Sequence, residues 1–147
     1  MGVEQTGATR NQSNLKISHK HIFLFDNKYA ESIFNNNTGD TYTLKPGLVV
    51  IRNTAATTKV IPAVSGATLI NIVGVVSTND DIEMSDGSDA NITICDGGVI
   101  NKDLLILPSG VTLDTLIATH GITVGDKLRS LGFDLEGAVE NTKFDNE

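Results

Sequence analysis

The amino-acid sequence predicts a mainly β fold: a small barrel-like domain with one or two short helices near the C-terminus and an extended N-terminal arm. Three observations carry that expectation. Val, Ile and Thr supply 42 of the 147 residues, against 5 Phe, 2 Tyr and no Trp, and β-branched side chains fit a pleated surface while losing rotamer freedom in a helix. From Thr41 onward, short apolar runs alternate with clusters of Gly, Pro, Asn and Asp at the close spacing of a small barrel or sandwich. Only near the C-terminus does the apolar period change to that of a helix. A chain of this length removes about 70% of its extended surface from water on folding, enough for a core without disulfides.

The elements follow in order. Residues 1–16 are rich in Asn, Gln, Thr, Gly and Ser, with Val3 and Leu15 as the only large aliphatics after Met1. Such a segment buries too little apolar surface to offset the entropy of ordering, so a loose arm is expected. Lys16 to Phe25 turns progressively apolar and needs a partner surface. In an extended chain Ile17, His19, His21 and Phe23 share one face, and Ser18, Lys20, Ile22 and Leu24 the other. Asp26-Asn27 punctuates this stretch, Tyr29 to Phe34 reads equally as strand or helical turn, and Asn35 to Asp40 reads as a loop. The expected division is an arm and lead-in over 1–39, a β-rich domain over 40–139 and a polar tail over 140–147.

Lys45-Pro46-Gly47 fits a type II turn, with Pro presetting one φ and Gly accepting the positive one, and launches a strand from Leu48 to Arg52. Val60 to Val64 contains Pro62, which lacks the donor an inner ladder needs, so an edge strand is expected. Leu69 to Val76 is the most apolar strand, and Gly74 marks a bend or close approach. Ser85-Asp86-Gly87-Ser88-Asp89 between Ile82-Glu83-Met84 and Ala90–Ile94 predicts a hairpin, with Ile92 and Ile94 on one side. Asp96-Gly97-Gly98 and Asn101-Lys102-Asp103 predict further turns around Val99-Ile100, ahead of a strand Leu104–Leu107. Leu107-Pro108-Ser109-Gly110 suits a type I turn. Leu113, Leu116 and Ile117 predict a short helix from Thr112 that ends before Gly121. Thr123 with Asp126 resembles a capping box opening a second helix stopped by Gly132, and Phe133–Leu135 predicts a last strand.

Charge and motifs narrow the chemistry. Residues 1–28 hold Arg10, Lys16, Lys20 and Lys28 against Glu4 and Asp26, a net of +2, while the rest carries 7 basic and 16 acidic residues. No basic cluster with interleaved aromatics is present, so a nucleic-acid partner is not expected. The longest apolar runs, such as Leu104–Leu107, are four residues, far short of the roughly 20 that span a bilayer, and no basic-to-apolar opening marks a secretory signal. No membrane partner is expected. Neither Val64-Ser65-Gly66 nor Pro108-Ser109-Gly110 supplies a nucleophile elbow, and no phosphate-cradling glycine pattern occurs. Cys95, the single cysteine, reads as a small core residue.

Asp80, Asp81, Glu83, Asp86 and Asp89 could gather oxygen ligands, but their spacing is not an EF-hand and a solvated hairpin tip uses the same residues. The same acids lack the aromatic cleft of a glycosidase pair. His19 and His21 offer two imidazoles, too few for a metal within one chain. No catalytic residue, metal or other cofactor is expected, and the chain does not read as an enzyme.

The order of segments is itself informative: Thr43-Leu44-Lys45-Pro46-Gly47-Leu48-Val49-Val50, then Ile72-Val73-Gly74-Val75-Val76, then Asn91 to Leu105 with its Asp96-Gly97-Gly98-Val99-Ile100-Asn101 centre, and finally Asp126-Lys127-Leu128-Arg129-Ser130-Leu131-Gly132-Phe133. This succession resembles the head decoration (capsid cement) proteins of tailed phages, lambda type, over about residues 40–135. Residues 1–39 exceed the arm of that family, and Pro108–Gly125 is somewhat longer.

The resemblance implies a β-tulip-like domain. It also implies a non-enzymatic structural protein on the capsid exterior of the virion, a homotrimer at local threefold positions that stabilises the expanded shell. The arm would contact the major capsid protein, with Ile17, His19, Lys20, His21, Ile22, Phe23 and Leu24 as the capsid-binding residues. The competing expectation is a receptor- or glycan-binding module of a phage head fibre or tail, against which the shortage of aromatic rings argues.

Overall fold

A computed structural model describes residues 21–137. The expected loose arm over 1–16, and the polar tail over 140–147, lie outside the described residues. The architecture is mainly β, with one short α-helix near the C-terminus. The strands are β1 (Phe23–Asn35), β2 (Tyr42–Leu44), β3 (Val49–Arg52), β4 (Lys59–Pro62), β5 (Ile72–Val76), β6 (Ile82–Met84), β7 (Asp89–Asn101) and β8 (Phe133–Glu136), and the helix is α1 (Val124–Ser130). Strands β1, β4, β3, β5 and β7 hydrogen-bond in that order, and β7 pairs back to β1, closing a five-stranded barrel. Strand β8 runs parallel to the far end of β7, and β2 pairs with β6 as a separate ribbon.

Leu48-Val49-Val50-Ile51 is apolar without alternation because β3 is covered on both faces. Val50 joins Phe34, Val60, Val76, Ile92 and Ile94, contributed by all five barrel strands, in the inner cluster, with Leu44 and Met84 of the ribbon packed in the same cluster. Val49 and Ile51 point the other way, into an outer cluster with Ile72, Val75, Cys95 and Ile100. Val111, Ile117, Val124, Leu128 and Phe133 from the C-terminal third cover that outer face. Each fully buried aliphatic contributes about 1.5–3 kcal/mol relative to exposure, so both layers are needed for a chain so poor in aromatics.

Several local expectations hold. Gly47 has φ 95° and Leu48 N donates to Lys45 O, closing the type II turn. A methyl group at Gly74 would lie 2.6 Å from Cys95 O, so the close approach is real. Helix α1 carries the full capping box, Thr123 Oγ1 accepting from Asp126 N and the Asp126 carboxylate accepting from Thr123 N, and Gly132 follows it at φ 102°. Strand β8 forms where expected, and Cys95 is fully buried.

Others are corrected. The boundary near residue 40 does not set the described lead-in apart, because residues 23–35 are β1, integral to the barrel through β7 and β4. The Asp86-Gly87 turn exists, with Ser88 N bonded to Ser85 O, but its flanks do not pair as a hairpin: β6 goes to β2 and β7 goes to β1. Asn36 makes that separation, since its backbone exchanges hydrogen bonds with Gly87 N and Ser88 O, drawing the turn onto the end of β1.

Asp96-Gly97-Gly98 is no turn either, because β7 runs through it. Strand β4 is not an edge, as it pairs with both β3 and β1; Pro62 is tolerated because β1 reaches only Lys59 and Val60. Leu69–Val76 begins as a 3₁₀ turn over Ala67–Asn71 before β5. Leu104–Leu107 supplies only an isolated bridge, Leu48 to Ile106. The turn at Pro108 is displaced by one residue, Val111 N bonding to Pro108 O with Gly110 at φ 79°.

The first of the two expected helices, from Thr112, does not form. Ile117 N donates to Ile122 O and Val124 N to Thr115 O, so residues 113–125 make an irregular hairpin with a Leu116–Thr123 bridge. Leu116 is then 65% exposed while Ile117 is buried, which a helical stripe would not produce.

Candidate functional site: the root of the arm and the open side of β1

The segment singled out in sequence enters the domain at the start of β1. His21 is exposed, and Ile22, Phe23 and Leu24 are half-buried; Ile17, His19 and Lys20 lie outside the described residues. Ile22 O accepts from Asn101 N at 2.7 Å. A methyl at Gly47 would lie 3.2 Å from Ile22 Cδ1 and 2.7 Å from Leu104 O, so the glycine lets the arm's root pack down beside Leu104. Phe23 packs against the outer core and meets the Tyr29 ring edge-on at 6.0 Å. The domain's own packing therefore engages Ile22 and Phe23 at least in part. Phe25 at 64% and Tyr29 at 53% exposure present their rings to solvent.

Between these rings β1 carries irregularities on both sides of Asp26-Asn27. Asp26 takes φ 57° and faces Gly98 at φ 106°. Asn27 spans the distortion, its Nδ2 donating to Val99 O at 3.0 Å and approaching Cys95 Sγ at 3.7 Å. Burial pushes the Cys95 thiol above its ordinary value, and its S–H donates to Gly97 O at 3.1 Å. The thiol is a packing group. The Tyr29 phenol is also raised, first by partial burial and then by the neighbouring Cys95.

Beyond the bulge, β1 pairs with β7 residue for residue from Tyr29 to Asn35. Ser77 N donates to Thr93 O, so the backbone of Thr93 faces β5. Glu31, opposite Thr93, therefore belongs to a non-hydrogen-bonded pair and turns its N–H and C=O away from β7. The same alternation turns those of Tyr29 outward. Strand β4 covers that side of β1 only at Ile33 and Phe34. Among the described residues no strand pairs with the stretch from Phe23 to Ser32 on the side facing away from β7, and Tyr29, Ala30 and Glu31 are exposed.

A polar groove of about 930 Å³ adjoins it, lined among others by Glu31, Arg52, Thr58, Asn79, Thr93 and Asp96. Its lining holds no aromatic ring. At its margin Thr78 Oγ1 is buried with no hydrogen-bond partner among the described residues. The far end of β1 is fixed by Asp89, which accepts from Lys59 Nζ and Asn35 Nδ2, both at 2.7 Å. The acidic segment does not converge on a common point: Asp89 serves that ion pair and Asp86 accepts from Gly39 N, and no cluster of three metal-ligating side chains occurs among the described residues.

Sequence reading missed Tyr29 and Glu31 as surface-forming residues because Asp26-Asn27 looked like the end of a segment. Glu31-Ser32-Ile33-Phe34-Asn35 has no period-two alternation of polar and apolar residues, so no local pattern marked this part of the strand. Neither a protein-family model nor a curated protein matches this chain.

Proposed function

We propose that this chain is a structural virion protein that decorates the exterior of an expanded phage capsid, probing the shell with its arm and holding it through the barrel. The observation that carries the reading is mechanical. The described end of the lead-in, His21-Ile22, bends into β1, which is held to β7 by ten register pairs from Phe23 to Asn35 inside a closed barrel. Load on the arm runs along the strand and is shared by the ladder in shear, which suits a clamp between shell subunits.

An extended segment adding to an exposed sheet edge of the major capsid protein gains backbone hydrogen bonds and alternate side-chain contacts. Ile17, His19, Lys20, His21, Ile22, Phe23 and Leu24 remain the proposed contact stretch. Exposed His21 and the solvent-facing ring of Phe25 support a contact at the arm's root. A homotrimer at local threefold positions would multiply such contacts, so avidity offsets the ordering of each arm.

Sedimentation with expanded, undecorated heads of the encoding phage tests this. The full chain is expected to pellet with the heads, and Ile17→Asp with Lys20→Glu to weaken the binding while leaving the circular dichroism spectrum unchanged. No co-sedimentation of the natural chain overturns the proposal.

A second reading, a receptor- or glycan-binding module of a fibre or tail, is favoured by the polar groove and the unpartnered Thr78 hydroxyl at its margin. A glycan array separates the two, since only the module reading expects saturable binding there.

A further inference from the structure

We infer that, in the free protein, the open side of β1 is covered by the N-terminal arm of a second copy of this chain. The acceptor is the stretch from Phe23 to Ser32, where Tyr29 and Glu31 turn backbone donors and acceptors outward and no described strand meets them. The regular part of this edge, Tyr29 to Ser32, beside the exposed rings of Phe25 and Tyr29, is a template for pairing.

Charge and pattern identify the occupant. Residues 1–20 carry Arg10, Lys16 and Lys20 against Glu4, a net of +2, whereas residues 21–137 carry 7 basic and 14 acidic residues. Asp26 and Glu31 are exposed on β1 against Lys28, and Asp96 and Arg52 both line the adjoining groove, so the acceptor carries a small net negative charge. Leu15 and Ile17 alternate with Lys16 and Ser18, a period-two pattern that places aliphatics on one face and a cation on the other. A basic, strand-patterned segment thus matches an acidic, unpaired strand edge on an identical molecule.

A second copy is favoured over the chain's own arm by turn chemistry. Folding back onto its own β1 requires a reversal between Lys16 and Ile22, where Ser18 is the sole turn-forming residue and no Gly, Pro, Asn or Asp occurs. Ile22, where the chain bends into β1, is tied to the end of β7 by the bond from Asn101 N. The contact is heterologous, arm to edge, so repetition around a rotation axis closes a ring. The inference concerns copies of this chain alone and stands apart from the shell proposal. Because one arm pairs with one edge at a time, a shell strand and a second copy compete for it.

Analytical ultracentrifugation of full-length proteins tests the inference. The natural chain is expected to self-associate. Glu31→Arg sets like charge against the incoming arm, and Lys16→Glu with Lys20→Glu reverses the arm; each variant alone is expected to associate about tenfold more weakly. An equimolar mixture is expected to form a complex tighter than either variant alone, because the reversed arm meets the reversed edge. Glu31→Pro, which removes an outward N–H without touching the β7 ladder, is expected to weaken association with an unchanged circular dichroism spectrum. Should that proline disturb the fold, the charge-swap series decides. A natural chain that stays monomeric, variants that associate as the natural chain does, or a mixture no tighter than its components overturns the inference.

Discussion

Asp26 and Gly98 face each other across the β1–β7 ladder with both backbones at positive φ, 57° and 106°, so close that a methyl on Gly98 would sit 2.5 Å from Asp26 O. This paired distortion lets β1 continue past a dipeptide that looks like a terminator. It also bends the strand where the arm's root meets the barrel.

Gly98→Ala is therefore expected to destabilise the protein by about 2–4 kcal/mol, from the left-handed backbone penalty plus the backbone clash. Gly74→Ala, whose new methyl would meet Cys95 O at 2.6 Å at ordinary φ, should cost about 1–3 kcal/mol. Urea melts of both variants check the order; equal stability to the natural chain would contradict the bulge.

Asn36 is fully buried, its Nδ2 shared among Asp40 O, Met84 O and Ser85 O and its Oδ1 accepting from Thr38 N and Oγ1. Asn36→Ala leaves several carbonyls and a donor without partners, a loss of about 3 kcal/mol. Amide exchange should rise in residues 36–40 and 84–88 ahead of the barrel strands. An unaltered exchange pattern would count against the ribbon being held by this side chain.

Ile117 and Leu116 are neighbours with opposite fates, 1% and 65% exposed. Ile117→Ala is expected to cost about 2–5 kcal/mol and Leu116→Ala less than about 0.5 kcal/mol. Comparable losses at both positions would restore the helix that the spacing of Leu113, Leu116 and Ile117 suggested.

Hydrogen bonds from Lys59 and then Asn35 hold the Asp89 carboxyl below its ordinary value of 3.8. A carboxylate whose value is lowered by folding stabilises the native state fully above its unfolded value and loses that contribution as pH falls through the lowered one. Stability should thus fade below about pH 4, and Asp89→Asn should flatten that part of the pH profile. A profile identical to the natural chain's would show the carboxylate has no linkage to folding.

The class of fold was legible because β-branched composition, turn residues and the Thr123–Asp126 cap act locally. Closure of the barrel was not, since it depends on β1 finding β7 across more than fifty residues and on β4 finding β1 in parallel. Local turn chemistry misled where a distant strand competed for the same backbone: Asp86-Gly87 forms its turn, yet Asn36 draws its flanks apart. Asp96-Gly97-Gly98 looked like a reversal because Gly98 at positive φ serves a bulge as readily as a turn. The arm's root was visible as an apolar lead-in, but the open side of β1 was not, because an edge is defined by which strands fail to reach it.

The central claim is that the chain acts by gripping a protein lattice, and its copy number in the particle tests that most directly. On the proposed reading, quantitative mass spectrometry of purified phage particles carrying the chain is expected to find it near one copy per major capsid subunit. A handful of copies per virion, or none, would contradict the account.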